Sequence, residues 1–300
     1  MQRVKNQHYV PQFCLKRFTT DGRMVYVFDK SKKQVYSSDV RNVASENGFY
    51  DLSPKFAADM QAMDKALQLI EEYAAPAFVH LLTDLEQKRA FNHKDEKLRR
   101  AIATFIAVQD VRTRLFRDQY VQKHDLVLQE IERRFGIKPP PGEEQISPER
   151  SAFEHARFMF RKEYRLKAVA ALMSHIWVVG RNDTENPLYF SDAPVTQYPH
   201  INHPFRGTGL TTKGVEIDFP ISPRYILMIC ERAYFAEKYA DHEGRMMVLG
   251  DENVKFYNGL QIWSSRRQIY CSQDKFDLVR KYATEDSEMF DVDRQRFEIV

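Results

Sequence analysis

Residues 98–116 read LRRAIATFIAVQDVRTRLF. Leu98, Ile102, Phe105, Gln109, Arg112 and Phe116 recur at spacings of 4-3-4-3-4, and at about 100° per residue they share one face of a helix. Four of the six are apolar, as a core-facing stripe requires, and two are not. A buried guanidinium is costly unless a negative group meets it, and a buried amide needs hydrogen-bond partners. The stripe therefore predicts a helix at the heart of the fold and a partner for Arg112. That partner is either an internal acid such as Glu46 or Glu71, or a substrate anion in a cleft, for which the planar fork suits phosphate or carboxylate. Snorkelling of Arg112 to the helix edge is the third solution.

Around this stretch the pattern is helical in the middle and strand-like at both ends. The helix is expected from about Asp95 towards Phe135, where GIKPPPGEEQ (136–145) breaks it into an exposed loop. Upstream, Phe56, Met60, Met63, Leu67, Ile70 and Ala74 form another 4-3-4-3-4 stripe. Its helix is expected to start at Ser53-Pro54 and to kink or restart at Pro76. A third helix is expected from Pro148 to Met173. MVYVFDK (24–30) and KQVYSS (33–38) alternate as a hairpin, and RNVASENGFYDL (41–52) turns at Asn47-Gly48 with another short strand.

HIWVVGR (175–181), PLYFSD (187–192), VEIDFPI (215–221) and RYILMICE (224–231) are strand-like. DENVKFYNGLQIWSSR (251–266) returns to helix, RQIYCS (267–272) to strand, and the polar tail from Glu285 is expected to be loosely held. The class is α+β. One domain over residues 1–300 is expected, its mixed or antiparallel sheet built from N- and C-terminal strands and packed against a central helical bundle. A split near residue 140 is the alternative.

Composition sets outer bounds. Apolar residues make up 43% of the chain and aromatics 13%, enough for a large ring-packed core. A net charge of +3, from 45 basic and 42 acidic residues, neither demands nor excludes a nucleic-acid partner. Cys14, Cys230 and Cys271 are odd in number and lack a CxxC pair, which points to a reducing, cytoplasmic setting. No secretory signal and no membrane span are expected. Walker, GxGxxG, GxSxG, HExxH and EF-hand patterns do not occur.

Several polar residues stand out. In NQHYVPQF (6–13), Pro11 and the rings around it should anchor His8 in the core, giving the imidazole the defined position that an acid/base group needs. The competing reading is a ring that satisfies nearby carbonyls. Gln12 lies one turn away if the segment is helical. Ser191-Asp192 ends an apolar strand, a common seat for site residues, although Asp also closes turns. Asn258, Gln261 and Ser265 share a helix face with Val254, which faces either solvent or a polar pocket. Lys97, Arg99, Arg100, Arg112, Arg114 and Arg117 make the middle helix basic, most simply as a solvated surface. His200 and His203, without a third ligand nearby, are a weak zinc signal.

The opening His8-Tyr9, with Pro11, Leu15 and Phe18, resembles the His-Tyr-x-Pro-x-x-x-Leu-x-x-Phe motif of the bacterial domain-of-unknown-function family 4238. NVASENGFYD, with Glu46 and Tyr50, is similar to a second stretch of that family, and VQDVRTRLF, with Gln109 and Arg112, to a third. YFSDAPV, FPISPRYILMI and YNGLQIWSSRRQIY resemble its later strand ends and its Asn-containing helix. The resemblance covers most of the chain in order and implies one family-length domain with no agreed activity.

Two functions fit these residues. The first is a phosphodiester-acting hydrolase, nuclease-like: His8 as general acid/base, Asp192 orienting it or ligating a divalent metal, and Gln12, Glu46, Gln109, Arg112 and Asn258 holding the substrate. The second is a module that binds or senses an anionic ligand without catalysis. In both, the partner is nucleic acid or a phosphate-containing small molecule.

Overall fold

The computed structural model describes residues 4–140, 144–201 and 209–296. The chain opens with a short strand, β1 (Asn6–His8), and a single helical turn, α1 (Gln12–Leu15). The expected hairpin follows as β2 (Met24–Asp29) and β3 (Gln34–Asp39), and β4 (Ser45–Asn47) pairs back onto β1. The central helices are α2 (Ala62–Lys88), α3 (Glu96–Val111), α4 (Arg114–Phe135), α5 (Pro148–Met159) and α6 (Lys162–Ser174). After them come β5 (Ile176–Asn182), β6 (Phe190–Ser191), β7 (Thr196–Pro199), β8 (Val215–Ser222) and β9 (Tyr225–Cys230). The remaining elements are α7 (Arg232–Tyr239), β10 (Met246–Leu249), α8 (Asp251–Ser264), β11 (Gln268–Cys271) and α9 (Asp277–Glu285).

The strands form a mixed α+β arrangement. One sheet has the order β10-β5-β9-β8-β7, antiparallel except for the parallel pair β10–β5. The other, β3-β2-β11-β6, joins the N-terminal hairpin to a C-terminal strand through Tyr270↔Val27 and Ile269↔Phe28. β9 reads YILMIC and is buried throughout, because β5 and β8 flank it and its alternate side chains enter two core clusters, one on each face. The apolar stripe of α3 packs on α2 and on this sheet, with Phe105 5.3 Å from Phe78 and 5.9 Å from Phe219, ring centre to ring centre. One core cluster contains Tyr9, Ile102, Trp177 and Tyr270, so residues on both sides of position 140 share it.

Several expected helix bounds need correction. Residues 53–61 form turns, and α2 begins only at Ala62, so Phe56 is exposed. α2 does not restart at Pro76 but continues as one helix to Lys88. The long middle helix is two: α3 ends with Arg112 as its C-cap, and the extended Thr113 caps α4 by accepting the Phe116 N–H at 3.2 Å. The third helix likewise breaks at Phe160-Arg161.

The tail is held rather than loose as far as Arg296. Phe290 is buried against Phe28, and Lys30, itself buried, donates to the carbonyls of Ile262, Ser265 and Met289. The first two of these carbonyls close the C-terminal end of α8, where a cation suits the helix dipole. Part of the 136–145 loop, residues 141–143, lies outside the described residues, as does His203. No helix among the described residues is long and apolar enough to cross a membrane.

Candidate anion-binding cleft

Arg112 meets an acid of the chain itself. Its Nη1 donates to Glu71 Oε1 at 2.8 Å, Nη2 donates to the His8 carbonyl at 2.7 Å, and the Tyr50 hydroxyl donates to the Arg112 carbonyl at 2.7 Å. Burial alone would favour the neutral guanidine, but Tyr50 and Glu71 together hold Arg112 above its ordinary pKa. Gln109 donates to the Tyr9 carbonyl at 3.0 Å. The two polar residues on the α3 stripe thus grip the backbone of His8 and Tyr9. NQHYVPQF is an N-terminal segment pinned to the core helix through its carbonyl groups.

The other expected site residues divide into separate places. His8 donates from Nε2 to the Val40 carbonyl at 3.3 Å, and burial pushes its pKa down. Gln12 lines a shallow pocket of about 290 Å³ beside Arg23, Asp39 and Arg41. Asp192 accepts three backbone N–H groups, from Arg266 at 2.8 Å, Arg267 at 2.8 Å and Gln268 at 2.9 Å. It ties the end of β6 to the start of β11. Both of its oxygens are engaged there, and neither reaches His8. Asn258 accepts from the Tyr189 N–H at 2.7 Å and donates to the Pro187 carbonyl at 3.0 Å. Gln261 bonds Ser191 and Pro194 in the same manner. The amide-rich face of α8 therefore laces the helix to the 187–194 segment around β6.

His200 meets a carboxylate. Its Nε2 lies 2.6 Å from Glu216 Oε2, whose other oxygen accepts the Tyr257 hydroxyl at 2.8 Å. Asp218, wholly buried on the same strand, has no donor on either oxygen among the described residues. Burial and the neighbouring Glu216 push it well above the carboxylate range, so it holds a proton. No group of three or more His, Cys, Asp or Glu side chains suited to a metal occurs among the described residues.

A cleft of about 370 Å³ opens at the N-terminal end of α4, lined among others by Arg114, Arg117, Asp118, Gln122, Arg266 and Arg296. Its location follows from the break at Thr113, which turns α4 away from α3 and projects Arg114 and Arg117 into the gap. Arg114 donates to Glu46 Oε2 at 2.9 Å and to Asp118 Oδ1 at 2.8 Å. These two acids outweigh burial and raise its pKa. Asp118 also accepts from Arg266, which approaches Asp293 at 3.6 Å. Glu46 thus belongs to the cleft's edge, alone among the residues singled out from the sequence as substrate-binding.

Arg117 and Arg296 are held differently. Arg117 lies 3.8 Å over the Phe49 ring, donates from Nη2 to the Phe49 carbonyl at 2.8 Å, and donates from Nε to Nδ1 of His155 at 3.1 Å. Arg296 donates to the carbonyls of Ser265 at 3.0 Å and Trp263 at 3.4 Å. Among the described residues neither meets a carboxylate. Burial lowers both to about 10, with neighbouring cations adding to the effect. Both still carry full charge at neutral pH. The lining thus presents four guanidinium groups against the two carboxylates of Asp118 and Asp293.

His155 and the arginines from distant segments were not among the residues singled out from the sequence. Arg114 and Arg117 were legible only as part of a basic stretch. The signal for the cleft was Thr113 in DVRTRLF: a capping residue three positions before Phe116 marks a new helix start. Nothing local marks Arg266 or Arg296 as its partners, and Arg99 in the same basic stretch is buried over Trp177 instead of solvated.

A family model described as a protein of unknown function, DUF4238, matches residues 6–275. No curated protein and no solved structure matches the chain.

Proposed function

The chain belongs to the DUF4238 family, and on the geometry of its cleft we propose that it is a recognition module for a phosphate-bearing ligand, either nucleic acid or a phosphorylated small molecule. One observation carries this reading: Arg117 and Arg296 face the cleft charged, with carbonyls and a ring around them in place of acids. Charge-assisted bonds from such forks are the strong contacts of phosphate sites. Asp118 orients Arg114 and Arg266 and leaves the cleft positive. The three cysteines, free and buried, support a cytoplasmic setting.

Binding is preferred to phosphodiester hydrolysis because the acid/base pair that hydrolysis would use, His8 and Asp192, is engaged at two different places. The test is calorimetric titration with pyrophosphate, repeated on Arg117→Met and Arg296→Gln with melting curves as controls. Each variant should lose about ten-fold or more in affinity, as expected for a lost charged hydrogen bond of roughly 1.5–3 kcal/mol. Wild-type protein that takes up no pyrophosphate would overturn the reading. Cleavage of DNA, RNA or nucleotides by purified protein, with or without divalent metal, would favour the hydrolase instead.

A further inference from the structure

Trp263 stands in the last turn of α8 with 59% of its surface exposed. It is tied to the cleft wall through the backbone. Its carbonyl accepts from Arg294 Nη2 at 2.7 Å and from Arg296 Nη1 at 3.4 Å. Gln122, a lining residue, donates to the Arg294 carbonyl at 3.1 Å and accepts from the Arg296 N–H at 3.4 Å. The residue that bears the indole thus abuts the Arg296 guanidinium through its carbonyl, and the Arg294 guanidinium lies 5.6 Å from the indole ring centre.

We propose that the cleft takes a nucleotide unit: its phosphate on Arg117, Arg266 and Arg296, and its base stacked on Trp263. This rests on the anion-binding reading of the same cleft and names the ligand more narrowly. Aromatic side chains beside a positive groove are the platform on which unpaired bases stack. The indole and Arg294 together present a π-face and a planar cation, both of which accept a base. A cavity of about 370 Å³ falls within the range of small-ligand sites, roughly 300–1,000 Å³. The ligand chemistry, an aromatic base joined to a phosphate ester, is common to free nucleotides and single-stranded nucleic acid.

Tryptophan fluorescence tests this directly. The chain has two tryptophans, and Trp177 is buried at 1% exposure, so a ligand-induced change reports Trp263. Wild-type protein and Trp263→Leu are titrated with AMP, with a ten-residue oligoadenylate and with pyrophosphate, affinities being taken in parallel by calorimetry. AMP or the oligonucleotide should quench the wild type and leave Trp263→Leu unquenched. The variant should bind that ligand about ten-fold more weakly, within the range of stacking on one base, with pyrophosphate affinity unchanged. Tighter, steeply salt-dependent binding of the oligonucleotide identifies the nucleic-acid source, and equal binding of AMP identifies the free nucleotide. If pyrophosphate binds but AMP and oligoadenylate bind both proteins equally and without quenching, stacking is overturned and the anion site stands. If pyrophosphate does not bind, the anion site itself has failed.

Discussion

Arg117 donates its Nε–H to Nδ1 of His155 at 3.1 Å, and the opposite edge of that ring donates from Nε2 to the Val111 carbonyl at 2.6 Å. The two bonds admit one protonation state only: neutral, with the proton on Nε2. The buried imidazole is thus a rigid acceptor that aims a cleft arginine, and it couples the C-terminal end of α3 to α4 across α5.

That arrangement predicts acid sensitivity. Burial, with Arg117 and Arg112 nearby, pushes the His155 pKa down to about 3 from an ordinary value of 6.5. Between those values the unfolded chain binds the extra proton, so this contribution is whole above about 6.5 and is lost as pH falls towards 3. The loss should be on the order of 5 kcal/mol over the full window, at about 1.4 kcal/mol per unit. His155→Gln keeps one donor and one acceptor, so its urea midpoint should fall less than the wild type's between pH 7 and pH 4.5. Parallel curves for the two proteins would contradict the assignment.

Arg112 is expected to be a stability residue. Its removal strands Glu71 and leaves the His8 carbonyl and Tyr50 short of a partner. Breaking a buried pair costs about 3–5 kcal/mol, so Arg112→Leu should melt well below wild type, while pyrophosphate affinity per folded molecule stays the same. A variant that keeps its melting temperature and loses anion affinity would restore Arg112 as a ligand clamp.

Asp192 should behave in the same way for another reason. Asp192→Asn places an amide NH₂ where backbone donors now converge, and about 2–4 kcal/mol should be lost with the charge-assisted bonds. Urea unfolding measures it. An unchanged midpoint would show that the triple contact is not what holds the β6–β11 junction.

Asp218 predicts a gain. Its folded-state pKa is raised by burial and by Glu216, so folding takes up a proton. That contribution is fully present below the ordinary carboxylate range and is lost as pH rises towards the folded value. Asp218→Asn is neutral without taking up a proton. Its melting temperature should exceed the wild type's by a few degrees at pH 8, with the gap narrowing as pH falls to 5. A lower melting temperature at both pH values would rule this out.

The fold was legible where one local signal settles one element. The β2–β3 alternation, the fully apolar β9 and the α8 pattern all appear as expected. Misreadings cluster at helix ends: the 98–116 stripe runs on past Thr113, where a new helix starts, and the third expected helix breaks at Phe160-Arg161. The tail looked loose because its polar residues hide what they bind, namely the carbonyls of residues 263–265.

By itself the sequence determined the α+β class, the family, the β2–β3 hairpin, β9 and α8, and the demand that a buried Arg112 find a negative partner. These follow from periodicity and from the cost of burying charge, both of which are properties of neighbouring residues. Only the tertiary structure decided that Glu71 answers that demand, and that the unmatched positive charge gathers at Arg117 and Arg296. Whether a guanidinium is neutralised depends on groups brought within a few ångströms by the fold. Residues as far apart in the chain as Phe49, His155, Ser265 and Arg296 carry no mark of that meeting until the chain has packed.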